Sequence, residues 1–278
     1  MKTGPTTTFY ILQNDALVSS SLPVVRLNDA AIVQGHGLFE TIKVYQGRPF
    51  ALSEHIERMK RGGEALGIEA PSLDEATKSI NRLLLANEQE KAQTCRVRIT
   101  LTGGVDAPSI FYQSSECPSH PETANVVTGN FVRNERSLLC GFKTLSYGEN
   151  AVATRHVKAV GADEAIWTNT MGELCEGTWS NIFVRIEGGW KTPPLSSGCL
   201  PGVTREKLLS LARSRRIVIS ETPIELARLD EIEAAFLTSS IREIQPIASI
   251  DGLLLGDSGG PDIEILKRDF ADLVASSL

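Results

Sequence analysis

The chain has 278 residues, room for one large domain or two of ordinary size, and is 41% hydrophobic and 22% charged, a balance that supports a real buried core. Its net charge of −6 counts against a nucleic-acid or anionic-membrane surface, and no apolar run reaches the roughly 20 residues of a membrane span. Five widely spaced cysteines with no CxxC pair indicate neither a zinc site nor a disulfide framework.

Free thiols fit a reducing cytoplasm, the expected location. Residues 1–8 are polar and lack the apolar segment of a signal peptide. Residues 9–12 and 16–25 are expected as strands around an Asn14-Asp15 turn. Alternation in Phe39-Glu40-Thr41-Ile42-Lys43-Val44 predicts a strand, and Gln46-Gly47-Arg48 turns it back toward Pro49. A helix is expected from Ser53, with Leu52, Ile56, Met59, Gly63 and Leu66 on one face; His55 and Arg58, three apart, project to one side. Ser72-Leu73-Asp74-Glu75 is a capping box that opens a second helix, with Leu73, Ala76, Ile80, Leu83 and Leu84 inward. Residues 95–102 alternate as a strand that Gly103-Gly104 ends, and 105–122 reads as a long loop. A strand is expected near Asn125-Val126-Val127.

The polar run Arg133-Asn134-Glu135-Arg136-Ser137 is the candidate linker, giving a small N-terminal α/β domain over 1–130, a linker over 131–137 and a larger domain over 138–278. Beyond it, helices are expected at 149–160 and 203–214, and strands at 164–169, 180–186, 217–220 and 234–238. A helical turn follows Thr222-Pro223. Ile263, Leu266, Phe270, Leu273 and Val274 mark a closing amphipathic helix. The fold class is therefore α/β (α+β).

No Walker A loop, GxSxG elbow, HExxH or G-x-G-x-x-G after a strand is present, and the four histidines are scattered. What is present is a set of three parts. Lys143 lies in Leu138-Leu139-Cys140-Gly141-Phe142-Lys143-Thr144-Leu145. A lysine in apolar surroundings loses proton affinity, and its amine becomes a nucleophile toward an aldehyde. That is how an enzyme holds pyridoxal phosphate. Such a cofactor needs a carboxylate at its ring nitrogen, and Glu176, between Cys175 and Gly177-Thr178, is the candidate. Its phosphate needs amides and a cation. Pro201-Gly202-Val203-Thr204 puts a turn before a helix, where free N–H groups favour an anion. Leu237-Thr238-Ser239-Ser240-Ile241 ends a strand with hydroxyls and amides, and Arg58 supplies charge. Each piece alone has a plainer role: an exposed lysine, a turn glutamate that caps backbone, a solvated helix arginine. Their joint occurrence is the signal.

The chain resembles the fold-type IV, class IV aminotransferase family of pyridoxal-phosphate enzymes, which includes branched-chain aminotransferases, D-amino-acid aminotransferases and aminodeoxychorismate lyases. The resemblance runs from about Leu27 to Gly252. It is carried by Gly37-Leu38-Phe39-Glu40-Thr41, His55-Ile56-Glu57-Arg58, Lys143-Thr144-Leu145-Ser146-Tyr147, Gly161-Ala162-Asp163-Glu164-Ala165, Glu176-Gly177-Thr178-Trp179-Ser180-Asn181-Ile182-Phe183, Thr192-Pro193-Pro194, Leu200-Pro201-Gly202-Val203-Thr204-Arg205 and Arg242-Glu243-Ile244-Gln245-Pro246.

The resemblance implies two α/β domains with the cofactor in the cleft between them, and a homodimer whose pocket the neighbour completes. It implies that Lys143 forms the Schiff base and shuttles the proton, and that Glu176 faces the ring nitrogen. It places Arg58, Val203, Thr204, Ser239 and Ser240 at the phosphate and Tyr147 beside the ring. Phe39, Arg98 and Ile241 would line the substrate pocket. By burial statistics Tyr147 and Phe39 are also plain core aromatics, and Arg98 is also a strand residue facing solvent.

Two reactions share this machinery: transfer of an amino group between an amino acid and a 2-keto acid, with pyridoxamine phosphate between the halves, and lysis of aminodeoxychorismate to pyruvate and an aromatic amine. A catalytically silent cofactor-binding protein is the third reading. Thr102-Gly103-Gly104 lacks the arginine that D-amino-acid enzymes of the family place there, which counts against D-specificity. The spacing from Lys143 to Tyr147 is nearer the lyase and D-amino-acid branches than the branched-chain one. Transamination is the first expectation.

Overall fold

The computed structural model describes residues 9–256 and 260–277; the polar run 1–8 read above lies outside them. Two compact units account for these residues: 9–118 with Lys143–Ser146, and 119–142 with the described part of 147–277.

The first unit is an antiparallel sheet with helices on one face. Its elements are β1 (Tyr10–Gln13), β2 (Ala16–Ser19), α1 (Ala30–Gln34), β3 (Gly37–Tyr45), β4 (Arg48–Pro49), α2 (Leu52–Leu66), α3 (Leu73–Ala86), β5 (Thr94–Thr102) and β6 (Ser109–Ser115). The sheet order is β2-β1-β6-β5-β3-β4. Period-2 alternation sorts its two faces. Leu38, Ile42 and Val44 of β3 and Cys95, Val97, Ile99 and Leu101 of β5 are buried, as are Ile56 and Met59 of α2 and Ile80, Leu83 and Leu84 of α3. On the other face Thr41 stands opposite Arg98 and Lys43 opposite Arg96, all half-buried. Close approach of α2 to β3 requires glycine: a Cβ on Gly62 would come 2.8 Å from the Leu38 side chain.

The capping box of α3 forms as expected, with Ser72 Oγ accepting from Glu75 N at 3.2 Å. Leu73, expected inward, is 43% exposed, because the first helical residue points away from the face that Ala76, Ile80, Leu83 and Leu84 bury. The expected loop over 105–122 is also corrected, since β6 occupies its middle and pairs with both β1 and β5. Phe111 and Tyr112 are both buried, so the run shows no alternation to read. The second expected strand stops at Ser19.

The second unit is built on β7 (Ala124–Val127), β8 (Val132–Arg133), α4 (Gly148–Ala159), β9 (Glu164–Asn169), β10 (Leu174–Gly177), β11 (Asn181–Ile186), β12 (Gly189–Thr192), α5 (Val203–Ser214), β13 (Ile219–Glu221), β14 (Ala234–Ser239), β15 (Glu243–Ile250), β16 (Leu253–Leu254) and α6 (Gly260–Ser276). Its mixed sheet runs β10-β9-β7-β15-β14-β11-β12-β13, with β16 on β15 and β8 on β9. Every residue of β9 is buried, because the strand feeds two cores. Ile166 packs with Val126, Leu174, Ile182 and Leu237, while Ala165 and Trp167 pack with Ala153 and Val157 of α4. Residues 131–137, expected as a linker, include β8, and Glu135 accepts from the N–H of Thr170 at 3.0 Å.

Candidate active site

Lys143–Ser146 belong to the first unit although the chain up to Phe142 and from Tyr147 onward belongs to the second. The short segment around it is laid along β3. Phe39 N donates to Lys143 O (2.9 Å), Leu145 N donates to Gly37 O (2.9 Å), and Leu38 and Thr144 form an isolated bridge. Backbone bonds on both sides of Lys143 thus fix the root of its side chain.

Lys143 is half-buried, and its Nζ lies 4.5 Å from the centroid of the Phe39 ring. The Arg98 guanidinium lies 3.7 Å from the same centroid, with Nε donating to Thr100 Oγ1 at 3.2 Å. An aromatic quadrupole attracts cations, so Phe39 holds both groups in place. Phe39 is a buried core aromatic that also carries these two cations, and Arg98 is half-buried over it rather than facing solvent.

Across β3 from Phe39, Glu40 is fully buried among polar partners supplied by α2. Arg58 donates through Nε to Oε1 (2.8 Å) and through Nη2 to Oε2 (2.6 Å), and His55 Nδ1 meets Oε2 at 2.7 Å. Burial pushes the Glu40 carboxyl up, but Arg58 and His55 together bring it well below the usual carboxylate range. His55 is lowered, first by burial and then by Arg58 and Lys143, against the pull of Glu40. Lys143, Phe39, Arg98 and Arg58, all expected from the sequence, are thus collected in one unit.

The other expected residues are in the second unit. Glu176 is mostly buried, 12% exposed at its side chain. Its Oε2 accepts the N–H of Leu200 at 2.8 Å, and its Oε1 lies 3.4 Å from Arg133 Nη2. Arg133 also lies 4.3 Å from the centroid of the Trp167 ring and 3.2 Å from Glu149 Oε2. Sequence reading missed Arg133, which sits in a polar run that looks like a connector; only β8, pairing with β9, turns it toward the acid.

Two residues beyond Leu200, Gly202 opens α5 with no side-chain cap, and Val203 and Thr204 are buried in its first turn. Backbone donors at such an end suit an anion. Asn181 Nδ2 donates to Leu200 O at 2.9 Å, and Asn181 is also the register partner of Thr238 at the end of β14. Asn181 thereby joins the helix start to the strand end. There Thr238 Oγ1 is buried with no hydrogen-bond partner among the described residues, Ser239 Oγ accepts from Arg242 N at 3.1 Å, and Ser240 and Ile241 form the turn into β15.

Tyr147 packs against Trp179, ring centroids 5.5 Å apart and planes tilted by 36°. The N–H of Trp179 donates to Glu164 Oε1 at 2.6 Å, and Glu164 is ion-paired through Oε2 to Arg242 Nη2 at 2.5 Å. Four of the quoted motifs thus meet behind the turn that follows Glu176. The nearby thiols are poor nucleophiles: burial pushes Cys199 up to about 11 and Cys175 higher still. A groove of about 570 Å³ between Trp190, Arg215 and Arg268 contains none of the expected residues. Among the described residues no helix is long and apolar enough to cross a membrane, and no cluster of three metal-ligating side chains occurs.

A family model described as amino-transferase class IV matches residues 37–250. The chain is 28% identical to a putative branched-chain-amino-acid aminotransferase of Methanocaldococcus jannaschii, over 95% of this chain and 96% of that one. It is 28% identical to a D-alanine aminotransferase of Bacillus licheniformis (90% and 91%) and 29% identical to an aminodeoxychorismate lyase of Bacillus subtilis (93% and 90%). Among solved structures, a branched-chain aminotransferase of Thermoproteus uzoniensis with norvaline superposes with a TM-score of 0.87 at 25% identity, covering 96% of this chain and 95% of that one.

Proposed function

The chain belongs to the class IV aminotransferase family, an enzyme family that depends on pyridoxal 5′-phosphate, and on that premise we propose that it moves an amino group between an amino acid and a 2-keto acid. The observation that carries this reading is the half-buried Lys143 amine held over the Phe39 ring, which the Arg98 guanidinium also meets. One aromatic ring thus gathers an amine able to engage an aldehyde and a group suited to a substrate carboxylate.

The residues fit the cofactor. The uncapped first turn of α5 and the unpartnered hydroxyl of Thr238 suit a phosphate, and both converge on Asn181. Glu176 is an acid already oriented by a backbone amide. When bound, the cofactor supplies an aldehyde that condenses with amines and a ring that draws electrons from the adjoining carbon. Lys143 would engage that aldehyde, take the α-proton of the substrate at Nζ and return a proton from the same atom. Glu176 would keep a proton on the ring nitrogen. Arg58, Val203, Thr204, Ser239 and Ser240 would hold the phosphate, Tyr147 would flank the ring, and Arg98, Phe39 and Ile241 would shape the substrate pocket.

The test is a half-reaction. An amino acid alone should bleach the visible absorbance of the cofactor-loaded protein, and a 2-keto acid should restore it. A screen with both hands of each amino acid gives side chain and stereochemistry. The lyase is the second reading, favoured by the Lys143-to-Tyr147 spacing; pyruvate release from aminodeoxychorismate without a keto acid would establish it. The protein would work as a homodimer. Leu22, Val25, Leu27, Ile32 and Val33 form an exposed apolar run, and light scattering should give about twice 30.2 kDa.

A further inference from the structure

Glu40 is a fully buried carboxylate with no place in the proposed reaction. Its cost is offset by the Nε–H and Nη2–H of Arg58 and by Nδ1 of His55. An arginine needed only as a positive charge gains nothing from such a partner, which cancels part of its field. A buried carboxylate does gain something in geometry. Two parallel N–H···O bonds fix the plane of a guanidinium, and a third contact from His55 fixes the carboxylate itself. The plane and direction of the Arg58 guanidinium are thereby set. All three side chains hang from regular elements, β3 and α2, whose close packing Gly62 permits.

We propose that Glu40 is a positioning residue: with His55 behind it, its carboxylate sets the direction in which Arg58 meets the phosphate of the cofactor. The inference rests on the reading of Arg58 as a phosphate ligand, and the experiment separates the two. Apoprotein made from the cofactor-loaded enzyme is titrated with pyridoxal 5′-phosphate and, separately, with pyridoxal, which lacks the phosphate. Glu40→Gln keeps shape but loses one acceptor, and should weaken pyridoxal 5′-phosphate by about ten- to hundredfold, the range of a support group behind a ligand. Pyridoxal affinity should stay as in the parent protein. The phosphorus NMR line of the bound cofactor should shift in the same variant, and His55→Gln should act in the same direction with smaller effect.

Equal loss of both ligands would make Glu40 a fold residue only and overturn the proposal. Unchanged or tighter binding of pyridoxal 5′-phosphate would overturn it too, since then charge and not aim governs Arg58. Arg58→Ala is the control. If it spares pyridoxal 5′-phosphate binding, the phosphate reading of Arg58 fails; if it weakens that binding while Glu40→Gln does not, only the positioning inference fails. Should Glu40→Gln not fold, Glu40→Asp, which keeps the charge and withdraws it by one methylene, makes the same discrimination.

Discussion

Glu176 Oε2 and the backbone N–H of Leu200 are joined by a 2.8 Å hydrogen bond, so the acid on β10 and the turn that opens α5 are held as one piece. Removing the carboxylate therefore has two separable effects. Glu176→Ala should leave the Leu200 N–H without its partner and lower stability by about 1–3 kcal/mol. It should retain cofactor binding and slow turnover by about 10²-fold or more, the scale of a lost charge-stabilising group. Thermal melting and single-turnover rates measure the two effects; a near-normal rate would remove the acid from the chemistry.

Lys143→Ala should abolish the visible absorbance of the loaded protein and all turnover, yet leave the fold intact. The segment is held to β3 by backbone atoms of Phe39, Lys143, Gly37 and Leu145, which the substitution keeps. Borohydride reduction followed by peptide mapping of the parent protein should find the cofactor mass on Lys143. Finding it on another lysine would show that a different amine is used.

Gly202→Ala introduces no backbone strain, because φ is −69°. Its added Cβ would instead lie 2.0 Å from Asn181 Oδ1 and displace that side chain from Leu200 O. Cofactor affinity should fall, and the effect should be non-additive with Asn181→Ala, since both changes break one contact. Affinities of the two single variants and the double variant complete the cycle. Strict additivity would mean that Asn181 does not connect the helix start to the strand end.

The His55 pocket gives a pH limb to stability. Its proton affinity is below the ordinary 6.5, so near and below that value the unfolded chain binds a proton that the folded chain refuses. Stability then rises with pH, by up to about 1.4 kcal/mol per pH unit, from the lowered folded-state value up to about 6.5. Glu40 adds with the same sign below its ordinary 4.5, where the unfolded chain is protonated first. Denaturant melts from pH 5 to 8 should show the upper part of this limb, roughly the range set by the unperturbed histidine, and His55→Gln should flatten it.

Much of this site was legible because its parts are local. The helix run of His55 and Arg58, the turn before Val203, and Lys143 between apolar residues are all short-range patterns. Their partners were not legible, since they are fixed by packing between elements. Nothing near Glu40 in sequence announces that α2 will bring Arg58 and His55 onto it, and Arg133 reaches Glu176 only because β8 joins β9. The fold divides in the same way. The capping box at Ser72 specified its helix alone, whereas β6 needed β1 and β5 on either side to become a strand.

The four residues Lys143–Ser146 have one further consequence. The polypeptide leaves the second unit, contributes the Lys143 amine to the first and goes straight back. No single cut yields a first unit that owns its lysine. Two separately expressed fragments divided at residue 118 would have to re-associate before that amine found its place on β3, and recombination between distant relatives at that junction would import someone else's lysine along with the larger piece.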